Sequence, residues 1–181
     1  MFNWNLHKLD VMGKTDITVN TRDRQQPPQR QVINATSNSY SIMVIEIGST
    51  ESLNSLHELV TGYFSSHTNI QIYLAIKLFS RYRDCTFALL VLFYRCDQLN
   101  PTVPCFVKSF ETTNLHISIT RFLLNILNFS ANYLTSVGCG QVTCDSPNLP
   151  DYQLAIPTDL LFDNVPTGIP NDTPDDFFLD L

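Results

Sequence analysis

Glu46 is the residue that most demands a chemical explanation. It sits in "SIMVIEIG" (residues 41–48), a run otherwise nearly continuous in apolar side chains. Such a run reads as a central strand covered on both faces. A carboxylate carried into that interior costs several kcal/mol unless it is paired or metal-bound. Glu46 therefore asks for a partner. The other reactive residue types form no comparable pattern. The five cysteines (Cys85, Cys96, Cys105, Cys139, Cys144) are odd in number and contain no C-x-x-C pair. Cys139 and Cys144 stand close, but with no histidine nearby, so zinc is rejected and reduced thiols are expected. His7, His67 and His116 are scattered without ligand spacing. His57 adjoins the apolar Leu56 and reads as a packed or solvent-edge histidine rather than a general base. No GxGxxG, GxxxxGK[ST] or GxSxG motif occurs, and "GCGQVTC" lacks the strand-then-helix setting of a phosphate loop.

The elements around Glu46 must position it. "DITVN" (16–20) reads as a strand after a weakly patterned start, which suits a short helix or a loose lead-in. "TRDRQQPPQRQ" (21–31) is polar and Pro-containing, hence a loop or arm. After the Glu46 strand, "STES" (49–52) supplies hydroxyls for a helix N-cap. Leu53, Leu56, Leu59, Val60, Tyr63 and Phe64 then recur at helical spacing for about three turns. "IQIYLAIKLF" (70–79) is a second buried strand. Strand, helix and strand with short connections imply a βαβ crossover with parallel pairing. "TFALLVLFYR" (86–95) follows a short polar turn, which favours a hairpin. "FVKSF" (106–110) is expected to be an edge strand, guarded by Lys108. "ISITRFLLNILNFSANYLTS" (117–136) reads as the second main helix. Beyond it, "YQLAI" fits a short strand and "IPTDLLF" a turn of helix with Thr158 as cap, the rest running over the surface.

Length and composition set the bounds. With 181 residues, 44% apolar and 15% charged, the chain suits one globular domain with a substantial core. The longest apolar run, "FALLVLFY" (87–94), is too short for a bilayer span of about 20 residues. No secretory signal is visible, so a cytoplasmic or nuclear location is expected. The net charge of -6 is unevenly placed: residues 151–181 hold seven aspartates and neither Lys nor Arg, leaving the other 150 residues at +1. No basic stripe announces a nucleic-acid surface. Any affinity for nucleic acid is expected to be weak and strongly salt-dependent.

The segment "MVIEIGSTESLNSLHELVTGYFSSHTNIQIYLAIKLF" resembles a group of fungal proteins of the arbuscular-mycorrhizal type. Their shared core runs V-x-E-V/I-G, then S-E-S-L, a helix ending in an aromatic residue, and a hydrophobic strand. "QPPQR" (26–30), "NPTVP" (100–104) and "YQLAIP" (152–157) match further segments of that group, so the resemblance covers residues 16–181. At fold level the V-E-V-then-helix core is similar to the Uma-type restriction endonucleases of the PD-(D/E)XK superfamily. That similarity implies a mixed sheet flanked by helices and a metal-dependent phosphodiesterase ancestor. Joined to the crossover and charge placement read above, the expected fold is α/β, a restriction-endonuclease-like mixed sheet with a βαβ crossover, flanking helices and an extended acidic C-terminal tail. The corresponding division is a lead-in (1–15), the endonuclease-like core (16–136) and a Pro/Asp-rich extension (137–181).

The resemblance also implies a site. In that superfamily two acids hold Mg²⁺ while a lysine stabilises the charge that develops on the phosphate. Glu46 matches the acid within the strand. Asp23 is the only candidate for the preceding acid, although no "PD" stands there. The lysine is missing at both customary places, since position 48 is glycine and the following helix holds no Lys or Arg. Two substitutes can be named: His57 on the helix, and Lys77, expected near the carboxyl ends of the parallel strands, with a structural Glu46–Lys77 ion pair as the plainer alternative.

Three readings follow. The favoured one is a degenerate, non-catalytic binding module on a nuclease-like scaffold. The second is an active Mg²⁺-dependent DNA endonuclease with a rearranged site, in which Arg22, Arg24 and Arg30 can contact phosphates. The third is a protein–protein interaction domain whose acidic-aromatic tail docks on a partner or packs on its own body.

Overall fold

The two longest apolar runs form the middle of a seven-stranded mixed sheet. The computed structural model describes residues 5–7, 17–20, 42–80, 88–111, 116–125, 134–137, 150–162 and 168–180. The strands lie side by side in chain order. They are β1 (Asn5–His7), β2 (Ile17–Asn20), β3 (Met43–Gly48), β4 (Ile72–Leu78), β5 (Ala88–Arg95), β6 (Phe106–Glu111) and β7 (Leu134–Val137). The β3–β4 pair is parallel and bridged by helix α1 (Leu53–Tyr63), giving the expected βαβ unit. The β6–β7 pair is also parallel, with helix α2 (Ile117–Asn125) between its strands. All other neighbours are antiparallel.

Alternation along the central strands sends two different sets of side chains to the two faces. Val44, Tyr73, Ala75, Leu90, Leu92, Tyr94 and Val107 meet Leu56, Val60 and Tyr63 of α1 and Ile119 and Leu123 of α2. Met43, Ile45, Ile72, Leu74, Val91, Phe93 and Phe110 meet a third layer from the C-terminal region. That layer comprises β8 (Gln153–Pro157), the short helix α3 (Thr158–Leu161) and β9 (Asp176–Asp180), with β8 and β9 paired antiparallel.

Helix α1 starts where its sequence provides a cap. Ser52 Oγ accepts from the Ser55 backbone N–H at 3.0 Å, satisfying one of the otherwise orphaned donors of the first turn. Leu56, Val60 and Tyr63 are its buried positions, one face at helical spacing. Gly48 lets this helix approach the sheet: a Cβ there would stand 2.7 Å from Leu56 Cδ1. Burying Leu56 and Val60 contributes roughly 2 kcal/mol each.

Several expectations need correction. Residues 5–7 form a strand, not a helix or loose lead-in, and pair with β2. The long second helix does not continue to residue 136, because Leu134–Val137 is strand β7. Thr135 and Val137 are β-branched and suit that strand, whereas the helical apolar spacing masked it. Strand β6 is consequently not an edge. Lys108 is only 5% exposed. Its Nζ donates to the Gln153 carbonyl at 3.4 Å and lies 5.3 Å from the Phe106 ring centre, tying the sheet to β8. Thr158 is not a helix cap either. It is the first residue of α3, buried, and its hydroxyl donates to the Pro174 carbonyl. The acidic terminus does not simply run over the surface: Phe177 and Leu179 pack on the core while Asp176, Phe178 and Asp180 alternate with them. A five-residue strand offers too few periods to stand out against its charges.

No helix among the described residues is long and apolar enough to cross a membrane.

Candidate functional site around Glu46

Glu46 lies in β3 opposite Ala75 of β4, on the sheet face that α1 covers. It is 7% exposed. Tyr63, in the last turn of α1, donates its hydroxyl to Glu46 Oε1. The partner that the strand position demanded thus comes from the crossover helix. Two more tyrosines continue the polar layer. Tyr73 donates its hydroxyl to the Leu56 carbonyl at 2.7 Å, and the Tyr94 hydroxyl bonds His57 Nδ1 at 3.0 Å. The Tyr63 and Tyr73 ring centres stand 5.0 Å apart, and those of Tyr73 and Tyr94 are stacked at 5.5 Å.

Burial and the neighbouring Glu46 charge push the Tyr73 phenol far above its ordinary range, and burial does the same to Tyr94. Both therefore act as neutral hydroxyls, donors and ring surfaces rather than nucleophiles. His57 is half-buried, and desolvation lowers its proton affinity, with the Glu58 carboxylate opposing. Its ring meets Phe122 of α2 edge-on at 6.1 Å. The group joins α1 to the sheet at three points along the helix: Leu56, His57 and Tyr63.

Lys77 shares this face. It pairs with Gly48 in register, two residues beyond the partner of Glu46. Strand spacing and rise put the two Cα atoms about 8 Å apart on the diagonal. Yet the two charges are given separate partners. Lys77 Nζ donates to the Ser49 carbonyl at 2.8 Å and lies 5.7 Å from the Phe79 ring centre. A direct Glu46–Lys77 ion pair is not found among the described residues. Glu51, in the exposed turn before α1, feels the Lys77 charge, but its carboxyl is lowered first by a hydrogen bond from its own backbone N–H. Asp23, the expected second acid, lies outside the described residues, as do Arg22, Arg24 and Arg30.

A magnesium site would draw on Glu46 together with Asp23, and only Glu46 of the two lies among the described residues. Mg²⁺ demands near-octahedral oxygen coordination and keeps several waters. Here the carboxylate faces a phenol under a helix, with tyrosine rings beside it. Among the described residues no group of three or more His, Cys, Asp or Glu is placed to hold a metal.

The tyrosines are what sequence reasoning missed. Each lies in or beside an apolar run, and a buried phenol, like a buried carboxylate, requires a partner. Tyr73 is two residues before Ala75, hence on Glu46's face, so the strand alternation held the signal. Two of the three segments singled out beyond the Glu46 region fall on described residues. "NPTVP" makes the turn between β5 and β6, with Val103 N–H donating to the Asn100 carbonyl at 3.1 Å. "YQLAIP" builds β8, and "QPPQR" lies outside the described residues. No protein-family model, curated protein or solved structure matches the chain.

Proposed function

We propose that this chain is a non-catalytic binding module on a restriction-endonuclease-like scaffold, a degenerate relative of the PD-(D/E)XK nucleases. The observation that carries the reading is the Tyr63 hydroxyl on Glu46, beneath α1. A metal-holding acid has to present its oxygens to an ion and a phosphate, whereas this one is 7% exposed and engaged by the helix. The lysine that would stabilise developing charge is held by the Ser49 carbonyl. In this reading the ancestral acid serves to dock α1 on the sheet.

One observation favours the second reading, an active Mg²⁺-dependent endonuclease using Glu46, Lys77 and Asp23. Glu46 and Lys77 share one face near the carboxyl ends of parallel strands, the usual location of α/β sites. Calorimetric titration with Mg²⁺ and Mn²⁺, run beside a plasmid-nicking assay, separates the two. The binding-module reading expects no heat of binding and no nicking. Nicking that disappears in Glu46→Gln, with the melting temperature kept, would establish the enzyme instead.

A further inference from the structure

The outward face of the β8–β9 pair carries an exposed aromatic ring between two carboxylates. Phe177 and Leu179 point to the core, so alternation turns Asp176, Phe178 and Asp180 away from it. Phe178 is 63% exposed. Its cross-strand partner is Ala155, also exposed and too small to shield a phenyl ring. Pro157 stands opposite Asp176, and Gln153 stands opposite Asp180. Gln153 Nε2 donates to Asp180 Oδ1 at 3.0 Å, which holds that carboxylate in place. The result is an aromatic ring with an open space beside it and a carboxylate two residues away on either side.

We infer that this face docks an extended basic segment of another protein, with Lys or Arg two residues either side of an apolar side chain. The spacing suits a partner strand. Asp176 and Asp180 lie about 13 Å apart along β9 at ~3.3 Å per residue, matching cations four residues apart in an extended chain. That separation also excludes a single shared metal ion, whose oxygen ligands sit within about 2.6 Å. Charge selects the partner: residues 151–181 hold seven aspartates and no Lys or Arg, so nucleic acids and anionic lipids are repelled. A central exposed aromatic within a polar rim is the usual anatomy of a binding hot spot. The face lies across the sheet from Glu46, so it stands whether or not the nuclease-like reading holds.

The test uses the full chain, labelled with nitrogen-15, and the capped synthetic peptide Ser-Lys-Thr-Leu-Thr-Lys-Ser. A control peptide carries Gln at both Lys positions. Backbone amide resonances of residues 153–156 and 176–180 are expected to shift with the basic peptide and not with the control. Phe178→Ala should weaken binding about tenfold, as loss of a central aromatic anchor does. Ala155→Arg puts a cation beside the ring at an exposed position and should abolish binding while leaving the melting temperature in place. Absence of binding, equal binding of the control, unchanged affinity in Ala155→Arg, or shifts centred elsewhere would each overturn the proposal.

Discussion

On the helix face of the sheet the buried layer sets Glu46, Tyr63, Tyr73 and Tyr94 among apolar residues such as Val44, Leu56, Val60, Leu90, Leu92 and Leu123, with half-buried His57 at its margin. On the β8–β9 face the corresponding layer is Met43, Ile45, Ile72, Leu74, Val91, Phe93, Leu154, Ile156, Leu160 and Leu161, with Lys108 and Thr158 as its buried polar members. The first face adds to its apolar packing directional bonds from individual hydroxyls between the sheet and its covering helix. The second holds its cover chiefly by non-directional apolar burial. The difference teaches where specificity resides. Aliphatic packing tolerates exchange of one apolar shape for another, while a buried polar group penalises any neighbour that leaves it unpaired.

Truncation on the β8–β9 face should give the largest loss. Leu161 is 2% exposed within that cluster. Leu161→Ala is expected to lower unfolding free energy by about 3 kcal/mol in urea titration, and Leu161→Met by less than about 1.5 kcal/mol. Equal losses from the two would mean that shape, not burial, governs this face.

Next in size is Glu46. Replacement by Ala leaves the Tyr63 hydroxyl without its carboxylate acceptor, at a cost of about 2 kcal/mol. Glu46→Gln keeps an acceptor oxygen and should recover part of that loss. A glutamine variant no better than alanine would show that charge, rather than the hydrogen bond, matters at this position. Tyr73→Phe is milder. It removes one hydroxyl from the Leu56 carbonyl while keeping the stacked ring, and about 1 kcal/mol is expected. No loss in thermal or urea unfolding would mean that water takes the hydroxyl's place.

The sequence made the central strands legible because their apolar runs exceed anything a loop would carry. The position of Glu46 in β3, the capped helix after it, the parallel return and the hairpin to β5 all follow from local pattern. The misreadings share a physical origin. Strand β7 is hidden because Leu134 and Val137 also fit the helical spacing of the preceding segment, so periodicity could not separate them. The second layer of polar partners was hidden because propensity and alternation place a residue on a face without saying which residue from another element meets it. Thus Glu46 was legible as buried, but Tyr63 as its donor was not. Lys108 shows the same limit. Its charge suggested an edge, yet the Gln153 carbonyl that receives it comes from a segment 45 residues away.

The finest separation of the two faces is a matter of pH. His57 is where the polar layer reaches its margin, with Nδ1 bonded to the buried Tyr94 hydroxyl. Desolvation holds its folded-state proton affinity below the ordinary value of 6.5, and Glu58 partly offsets this. As pH falls below 6.5, the unfolded chain takes up the proton before the folded chain does. Stability contributed by neutral His57 is thus present above that value and declines through the interval down to the folded pKa. The effect is small, because the ring is half exposed and the Glu58 charge opposes desolvation. Urea midpoints compared at about pH 7.5 and about pH 5.5 should differ less in His57→Gln than in the wild type. The variant Leu161→Met on the β8–β9 face, which leaves His57 in place, should keep the wild-type difference. If His57→Gln also kept the full difference, the acid sensitivity would belong to another group, and the polar layer would end at Tyr94.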